Sequence, residues 1–245
     1  MKKLFNFLKR IVKIIYPNIE VVGLENLPDE PVVLVGNHSQ MHGPIVGELY
    51  FENCVTWCEG EMMHLKEVPA YSYKDFWSYK PKWTKWFYKL MSYLIAPLAV
   101  FIFNKARTIP VYKDTRIVIT FRKTIDKLKE GKSIIIFPEH DVEYNNILFD
   151  FQGNFIDVAR VFYKRTGKEI SFIPMYIAPK LKKVYLGAPI KYNSKSSISE
   201  ERARIRQCLM AEITEMARNL PEHTVVPYRN MSKSMYPSNK GGNVK

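Results

Sequence analysis

Residues 31–44 read PVVLVGNHSQMHGP, and residues 133–141 read SIIIFPEHD. Each stretch is a short run of β-branched and other apolar residues that ends abruptly in a polar cluster. Runs of this kind are typical of strands that are buried on both faces of a sheet. Polar groups collect beyond the carboxyl ends of such strands, where open parallel sheets form their sites. The pattern therefore predicts that His38 and Glu139 meet at one edge of a sheet.

Further strand-like runs and helical patterns alternate along the chain. The strand-like runs are 55–58, 108–112, 170–177 and 183–186, and the helical patterns are 115–129 and 197–220. Ser197 and Glu200 have the spacing of a capping box at the start of the second helix. Alternating strands and helices predict an α/β domain over residues 20–222, with a mixed, largely parallel sheet flanked by helices.

The composition is that of a folded chain with a basic surface. Of the 245 residues, 47% are apolar and 25% are charged, and Lys plus Arg exceed Asp plus Glu by 37 to 24, for a net charge of +13. This excess favours an anionic partner such as a membrane surface, a phosphorylated molecule or a nucleic acid. No recognised nucleic-acid motif is present, so no nucleic-acid partner is predicted. Three cysteines favour a reducing compartment over a disulfide framework.

Residues 1–19 have the pattern of an amphipathic basic helix. Five basic residues and no acidic residue precede Glu20, and one helical stripe is apolar: Leu4, Leu8, Ile11 and Ile15. Basic residues interrupt the apolar block, which excludes a secretory signal. The pattern predicts a helix that lies on an anionic membrane surface, or one that packs on the domain as its first helix. The two interpretations are compatible.

Residues 71–103 depart from the α/β pattern. Three of the four tryptophans lie there, interleaved with five lysines, and an apolar run follows at 90–103. Aromatic rings beside lysines suit the headgroup region of a bilayer. As a helix the run is only ~21 Å long, whereas a bilayer core is about 30 Å thick. We predict an insertion with shallow membrane contact; the alternative is a buried core helix. Residues 223–245 are predicted to be a flexible basic tail without chemistry.

Five short blocks, taken in order over residues 20–192, resemble the lysophospholipid / glycerol-phosphate acyltransferase family. The blocks are Asn37-His38 with Pro44, IPVYK at 109–113, FPE at 137–139 with FQGN at 151–154, FIPMY at 172–176 and VYLGAPI at 184–190. No single block is specific, and the resemblance depends on their order. It implies the glycerol-phosphate-acyltransferase-like fold, with a peripheral, monotopic position on the cytoplasmic face of a membrane.

The resemblance also implies a chemistry. The histidine of the first block, here His38, deprotonates an acceptor hydroxyl, which then attacks the thioester of acyl-CoA or acyl carrier protein. These donors are co-substrates, and no metal or other cofactor is implied. The second block and the Glu region of the third hold the acceptor. Lys113 and Glu139 occupy these positions, with Asn37, His42 and His140 as further candidates for substrate binding.

The sequence departs from the family where the histidine is normally oriented. The family has Asp five positions after the His, and Gly43 stands there. Asp141 is the best candidate to replace this carboxylate, with His42 and Glu139 as alternatives. Lys113 replaces an Arg and loses its bidentate fork. The chain is thus predicted to transfer a fatty acyl group to lysophosphatidate, another lysophospholipid or a related glycerolipid. The alternative is a catalytically silent lipid-binding protein on the same fold.

Overall fold

The computed structural model describes residues 2–241 and alternates strands with helices, as the sequence predicts. The strands are β1 (Glu20–Val22), β2 (Val33–Gly36), β3 (Cys54–Glu59), β4 (Thr108–Val111), β5 (Ser133–Ile136), β6 (Glu139–Glu143), β7 (Phe149–Phe151), β8 (Ser171–Ala178), β9 (Lys183–Leu186) and β10 (Ile190–Lys191). The helices are α1 (Lys2–Ile15), α2 (His42–Tyr50), α3 (Val68–Ser72), α4 (Lys85–Lys105), α5 (Ile117–Lys129), α6 (Asp157–Thr166) and α7 (Ile198–Asn219).

The main sheet has the strand order β1-β9-β8-β2-β5-β3-β4, and β10 pairs with the start of β8. β2 is central and runs parallel to both β5 and β8. Only the pairings of β8 with β9 and β10 are antiparallel. The prediction of a mixed, largely parallel sheet flanked by helices is confirmed. Because β2 and β5 are parallel neighbours, their carboxyl ends open onto the same edge.

Apolar side chains from both faces of the sheet form the core. One face packs against α5, α6 and α7, with Ile125, Ile205 and Ile213 fully buried. The other face packs against α2 through Val46 and Phe51. The predicted capping box begins α7, since Ser197 Oγ accepts from the Glu200 amide and Glu200 accepts from the Ser197 amide. Burial on both faces explains why the central strands are continuous runs of β-branched residues.

The N-terminal helix α1 has no buried residue. Lys9 ties it to the domain through an ion pair with Glu48, with 2.6 Å between Nζ and Oε1. Several of its large apolar side chains are exposed, with Phe7 59%, Ile14 83% and Ile15 78% exposed, whereas Leu8 and Ile11 are half-buried. The helix therefore keeps an apolar surface and a row of basic residues available to a partner.

Helix α4 is longer than the apolar run at 90–103 because it continues through the preceding aromatic residues. Its 21 residues correspond to ~31 Å. By length and composition alone, residues Lys82–Lys105 are apolar enough to cross a membrane. Only Ser92 and Ala96 are buried in α4, whereas Trp83 is 80% and Trp86 70% exposed. This exposure contradicts the alternative of a buried core helix.

The C-terminal segment is folded, and the prediction of a flexible tail is wrong for residues 223–241. We call these residues the C-terminal strap. Val225, Val226 and Asn239 are buried, Thr224 forms a β-bridge with Ser238, and Asn239 Nδ2 donates to the Ala217 carbonyl at 2.8 Å. The ordered strap could not be predicted from composition, because only a few apolar side chains and hydrogen bonds to backbone groups hold it in place. Residues 242–245 of the predicted tail lie outside the described residues.

Candidate active site

The loop after β2 is locked to β8 by Asn37. Its Oδ1 accepts from the Ile177 amide at 2.7 Å, and its Nδ2 donates to the Ile177 carbonyl at 3.0 Å and to Ser39 Oγ at 2.8 Å. Both donors of the side-chain amide are thus used, and Asn37 is 2% exposed. The structure therefore shows Asn37 holding the backbone that presents His38, and its substrate-binding role stays a prediction.

The next two residues of the loop adopt left-handed backbone conformations, with φ of 47° at Ser39 and 53° at Gln40. Non-glycine residues rarely adopt such angles, and structures keep them where surrounding contacts hold them in place. The C-terminal strap supplies these contacts. Ser39 Oγ lies 3.3 Å from the Val226 carbonyl oxygen, and Gln40 Nε2 donates to Tyr236 Oη at 2.8 Å.

Glu139 joins the ends of β2 and β5, which confirms the predicted meeting with His38. Its Oε2 accepts from the His38 amide at 2.5 Å, and its Oε1 accepts from the Phe149 amide at 2.9 Å. The side chain is buried. Burial raises the pKa of Glu139 to about 7, although the two amide donors oppose this rise. Glu139 therefore holds the backbone of the loop and of the β6–β7 hairpin, and it does not contact the His38 ring.

Within residues 2–241, the His38 imidazole has no hydrogen bond to a carboxylate. Its Nδ1 is buried and has no hydrogen-bond partner among residues 2–241. The ring meets Phe137 edge-to-face, with centroids 5.3 Å apart, and meets Tyr228 in the same way at 5.9 Å. Burial lowers the pKa of His38 to about 4, although the nearby Gln40 backbone opposes this fall. The ring is therefore neutral near pH 7, the form in which an imidazole accepts a proton.

Asp141 does not replace the missing carboxylate, so that prediction is wrong. Its side chain is 71% exposed and accepts from Arg229 Nε at 2.7 Å. The reason is the path of β6, which leaves the edge of the main sheet as a hairpin with β7 and becomes exposed beyond Glu139. Asp141 is thereby directed to solvent and to the strap.

The two other histidines predicted to bind substrate are engaged elsewhere. His42, at the start of α2, lies 2.7 Å from Tyr16 Oη through its Nδ1. His140 Nε2 lies 3.2 Å from Asp150 Oδ2, and Asp150 also pairs with Arg206 of α7. The structure therefore does not bring either ring together with His38 by hydrogen bonding.

Lys113 is exposed and forms an ion pair with the Glu59 carboxylate. Its Nζ lies 3.2 Å from Glu59 Oε2. Burial raises the pKa of Glu59 and of Asp75, and the positive charge of Lys113 opposes both shifts. Burial, together with the charge of Asp75, raises the pKa of Tyr228 to about 12. Lys113, which stands where the resembled family has an arginine, is thus close to the carboxyl groups of Glu59 and Asp75. These groups weaken the attraction of Lys113 for an anionic acceptor.

The position of the missing carboxylate has no room for one. A Cβ atom on Gly43 would lie 2.6 Å from the His38 carbonyl oxygen and 2.9 Å from Phe137 Cζ. Sequence reasoning identified the absence of Asp but missed Phe137 and Tyr228, the two rings that contact His38. Phe137 could have been found because it ends a strand beside Glu139, whereas no local pattern marks Tyr228. Within residues 2–241, no group of three His, Cys, Asp or Glu side chains could hold a metal ion.

Comparison with known proteins supports the fold. No family model and no curated protein matches the chain. Among solved structures, the chain is similar to the 1-acyl-sn-glycerophosphate (LPA) acyltransferase PlsC from Thermotoga maritima. The TM-score is 0.50 at 19% identity, over 90% of this chain and 80% of that chain. The chain thus has the α/β fold of a PlsC-like acyltransferase, and the sequence blocks of the resemblance lie on that fold.

Proposed function

We propose that the protein is an acyltransferase that moves a fatty acyl group from acyl-CoA or acyl carrier protein to a lysophospholipid or related glycerolipid. The observation that carries this proposal is the His38 loop. On a PlsC-like fold, it presents a neutral, partly exposed imidazole at the carboxyl end of the central strand. Glu139, which begins β6 just after the neighbouring parallel strand β5, fixes the backbone of that loop.

The reaction is a proton transfer coupled to acyl transfer. His38 Nε2 accepts the proton of the acceptor hydroxyl as the hydroxyl oxygen attacks the thioester carbonyl. The carbon–sulfur bond then breaks, and the departing thiolate takes the proton back from the imidazolium. Because the pKa of His38 is lowered to about 4, the base is weak but stays unprotonated well below pH 6.

The test is acceptor-dependent thiol release from long-chain acyl-CoA and acyl carrier protein, with lysophosphatidate and neutral lysolipids as acceptors. His38→Ala is expected to lower the rate by about 10³-fold, since the base is lost. Asp141→Asn is the matched control and is expected to change the rate less than threefold, because Asp141 pairs with Arg229 in solvent.

A second function is favoured by one observation, the unpaired His38 Nδ1. In the acyltransferase family the histidine is oriented by Asp, and this chain offers no carboxylate to the ring. A lipid-binding protein without catalysis would keep the fold and lose the base chemistry. It is supported if no donor and acceptor pair gives release above His38→Ala while the protein still binds lysolipid vesicles.

We also propose a peripheral position on the cytoplasmic face of a membrane, with membrane lipids as partners. Helices α1 and α4 support it, since both expose large apolar side chains beside lysines. This arrangement is typical of helices at an anionic lipid surface.

Trp86→Ser with Leu94→Ser is expected to weaken sedimentation with phosphatidylglycerol-containing vesicles by about 10-fold or more, since two exposed anchors are removed. Val118→Ser is the matched control, because Val118 is 69% exposed on α5. Equal sedimentation of all three proteins would rule out α4 as the membrane contact. Binding that survives high salt and alkaline carbonate would instead indicate a helix that spans the bilayer.

A further inference from the structure

The His38 ring poses a structural question, because a buried ring nitrogen without a partner is rare. An imidazole that acts as a base is usually oriented by a hydrogen bond to its other nitrogen. Here Nδ1 has no such bond within residues 2–241, and the nearby space is filled by Phe137 and loop backbone. The Gln40 backbone lies near the ring, and the ring also has side-chain contacts in place of a carboxylate.

Two aromatic rings make these side-chain contacts. Phe137 meets the His38 ring at an interplanar angle of 74°, and Tyr228 meets it at 87°. Edge-to-face contacts of this kind are favoured by the charge distribution of aromatic rings and depend on ring orientation. Phe137 comes from the end of β5, whereas Tyr228 comes from the C-terminal strap. The imidazole is therefore confined by rings from two distant parts of the chain.

Tyr228 also completes a closed circuit of contacts around His38. The His38 amide donates to Glu139, and Glu139 accepts from the Phe149 amide. The Phe149 ring lies 5.7 Å from the Tyr228 ring, and Tyr228 returns to the His38 ring. Hydrogen bonds from two backbone amides to Glu139 link His38 to Phe149, and aromatic contacts link Phe149 through Tyr228 back to His38.

The strap residues beside Tyr228 are anchored independently. Arg229 donates to Asp141 at 2.7 Å and lies 5.6 Å from the centre of the Phe149 ring. Asn230 Nδ2 donates to the Asp75 carbonyl at 3.0 Å. The Tyr228 hydroxyl has no hydrogen-bond partner in the described part of the chain, so the ring, not the hydroxyl, makes the contact with His38.

We infer that Tyr228 is a positioning residue, whose ring, carried over the site by the C-terminal strap, orients the His38 imidazole in place of the absent carboxylate. This inference rests on the proposed acyltransferase function. Tyr228 lies outside the five sequence blocks of the resemblance. It would take the role that the resembled family gives to an Asp in the first block. The ring contributes packing and not charge, so an apolar ring of the same shape should replace it.

The test compares Tyr228→Ala and Tyr228→Phe with Tyr163→Ala, a matched control on the exposed face of α6. For Tyr228→Ala, kcat for acyl transfer is expected to fall on the order of 10²-fold, because the base is misplaced, with KM changed less than threefold. Tyr228→Phe and Tyr163→Ala are expected to stay within threefold of the wild type. If Tyr228→Ala does not fold, Tyr228→Leu takes its place, because leucine fills much of the volume without a ring. The same loss of kcat is then expected for Tyr228→Leu.

A second measurement does not need catalysis: the titration of the His38 ring protons by NMR, assigned with His38→Gln. Among the described residues, two titratable groups contact His38: Glu139, which accepts from the His38 amide, and Tyr228, whose ring meets the imidazole. Asp141 and Arg229 pair with each other beside Tyr228. The midpoint is expected to lie well below 6.5 in the wild type and Tyr228→Phe, and to rise toward 6.5 in Tyr228→Ala. If the wild type transfers no acyl group, the proposed function fails, and this titration still tests whether Tyr228 holds the ring.

Two results would overturn the inference. One is a Tyr228→Ala protein that is folded and keeps both the kcat and the His38 titration of the wild type. The other is a Tyr228→Phe protein that loses as much kcat as Tyr228→Ala, which would assign the role to the hydroxyl.

Discussion

Gly43→Asp is expected to lower the free energy of unfolding by about 3 kcal/mol or more and to give no gain in acyl transfer. The substitution restores the residue type of the resembled family, yet its Cβ would lie 2.6 Å from the His38 carbonyl oxygen and 2.9 Å from Phe137 Cζ. Something must shift to admit it, and the shift would displace His38 itself. The carboxylate would also be placed against an aromatic ring with little solvent.

The measurement is urea unfolding of Gly43→Asp beside Gly153→Asp. Gly153 is a matched control, because a Cβ there would approach other atoms no closer than 3.9 Å. Gly43→Asp with Phe137→Ala removes the ring and is expected to recover part of the lost stability, which a double-mutant cycle would detect as coupling. If Gly43→Asp keeps the stability of the wild type and transfers acyl groups faster, the loop can accommodate an Asp beside His38, and the contacts around Gly43 do not exclude it.

The second large effect is on the pH dependence of stability, where Glu139 and His38 act in opposite directions. The pKa of Glu139 is raised to about 7 in the folded protein from an ordinary value of 4.5. The folded state therefore binds its proton more strongly, and the stability falls as the pH rises from about 4.5 to 7. The pKa of His38 is lowered from 6.5 to about 4. The unfolded state binds that proton more strongly, so the stability rises as the pH rises from about 4 to 6.5.

These two contributions nearly cancel in the wild type between pH 4.5 and 6.5, and single substitutions should separate them. Relative to the wild type, His38→Gln is expected to lose stability with rising pH and Glu139→Gln to gain it. Each relative slope should approach about 1.4 kcal/mol per pH unit at most. Glu139→Gln should also be less stable at every pH, because one amide cannot accept from both backbone donors.

Urea unfolding at half-unit steps from pH 4.5 to 7 measures both slopes. The comparison uses differences from the wild type, so groups elsewhere in the chain contribute equally to each curve. If the free energy of unfolding depends on pH in the same way in all three proteins, neither pKa is shifted as described. Slopes of the same sign in the two variants would contradict the opposite directions of their pKa shifts.

Much of the fold follows from local sequence patterns. The continuous apolar runs at 33–36 and 133–136 require burial on both faces, and strands that alternate with helices require parallel pairing. From this the meeting of His38 and Glu139 could be predicted, and the structure confirms it. The capping box at Ser197 could also be read directly, because its two residues are close in sequence.

Side-chain orientation in the site could not be predicted in the same way. Asp141 lies two residues after Glu139, yet the β6–β7 hairpin directs it to Arg229 and solvent. Asn37 was predicted to bind a substrate, and its side chain bonds Ile177 of β8. In both cases the partner comes from a distant segment, so no spacing in the local sequence could reveal it.

The sequence by itself determined the order of strands and helices, the edge of the sheet where the site lies, and the absence of the family's Asp. Only the tertiary structure decided what surrounds His38: the Phe137 ring in the space beside Gly43, and Tyr228 on a strap that looked disordered in composition. The physical reason is one of range. Strands and caps form from periodicity and hydrogen bonds among near neighbours, whereas the environment of a buried ring is set by packing between segments that meet only when the whole chain has folded.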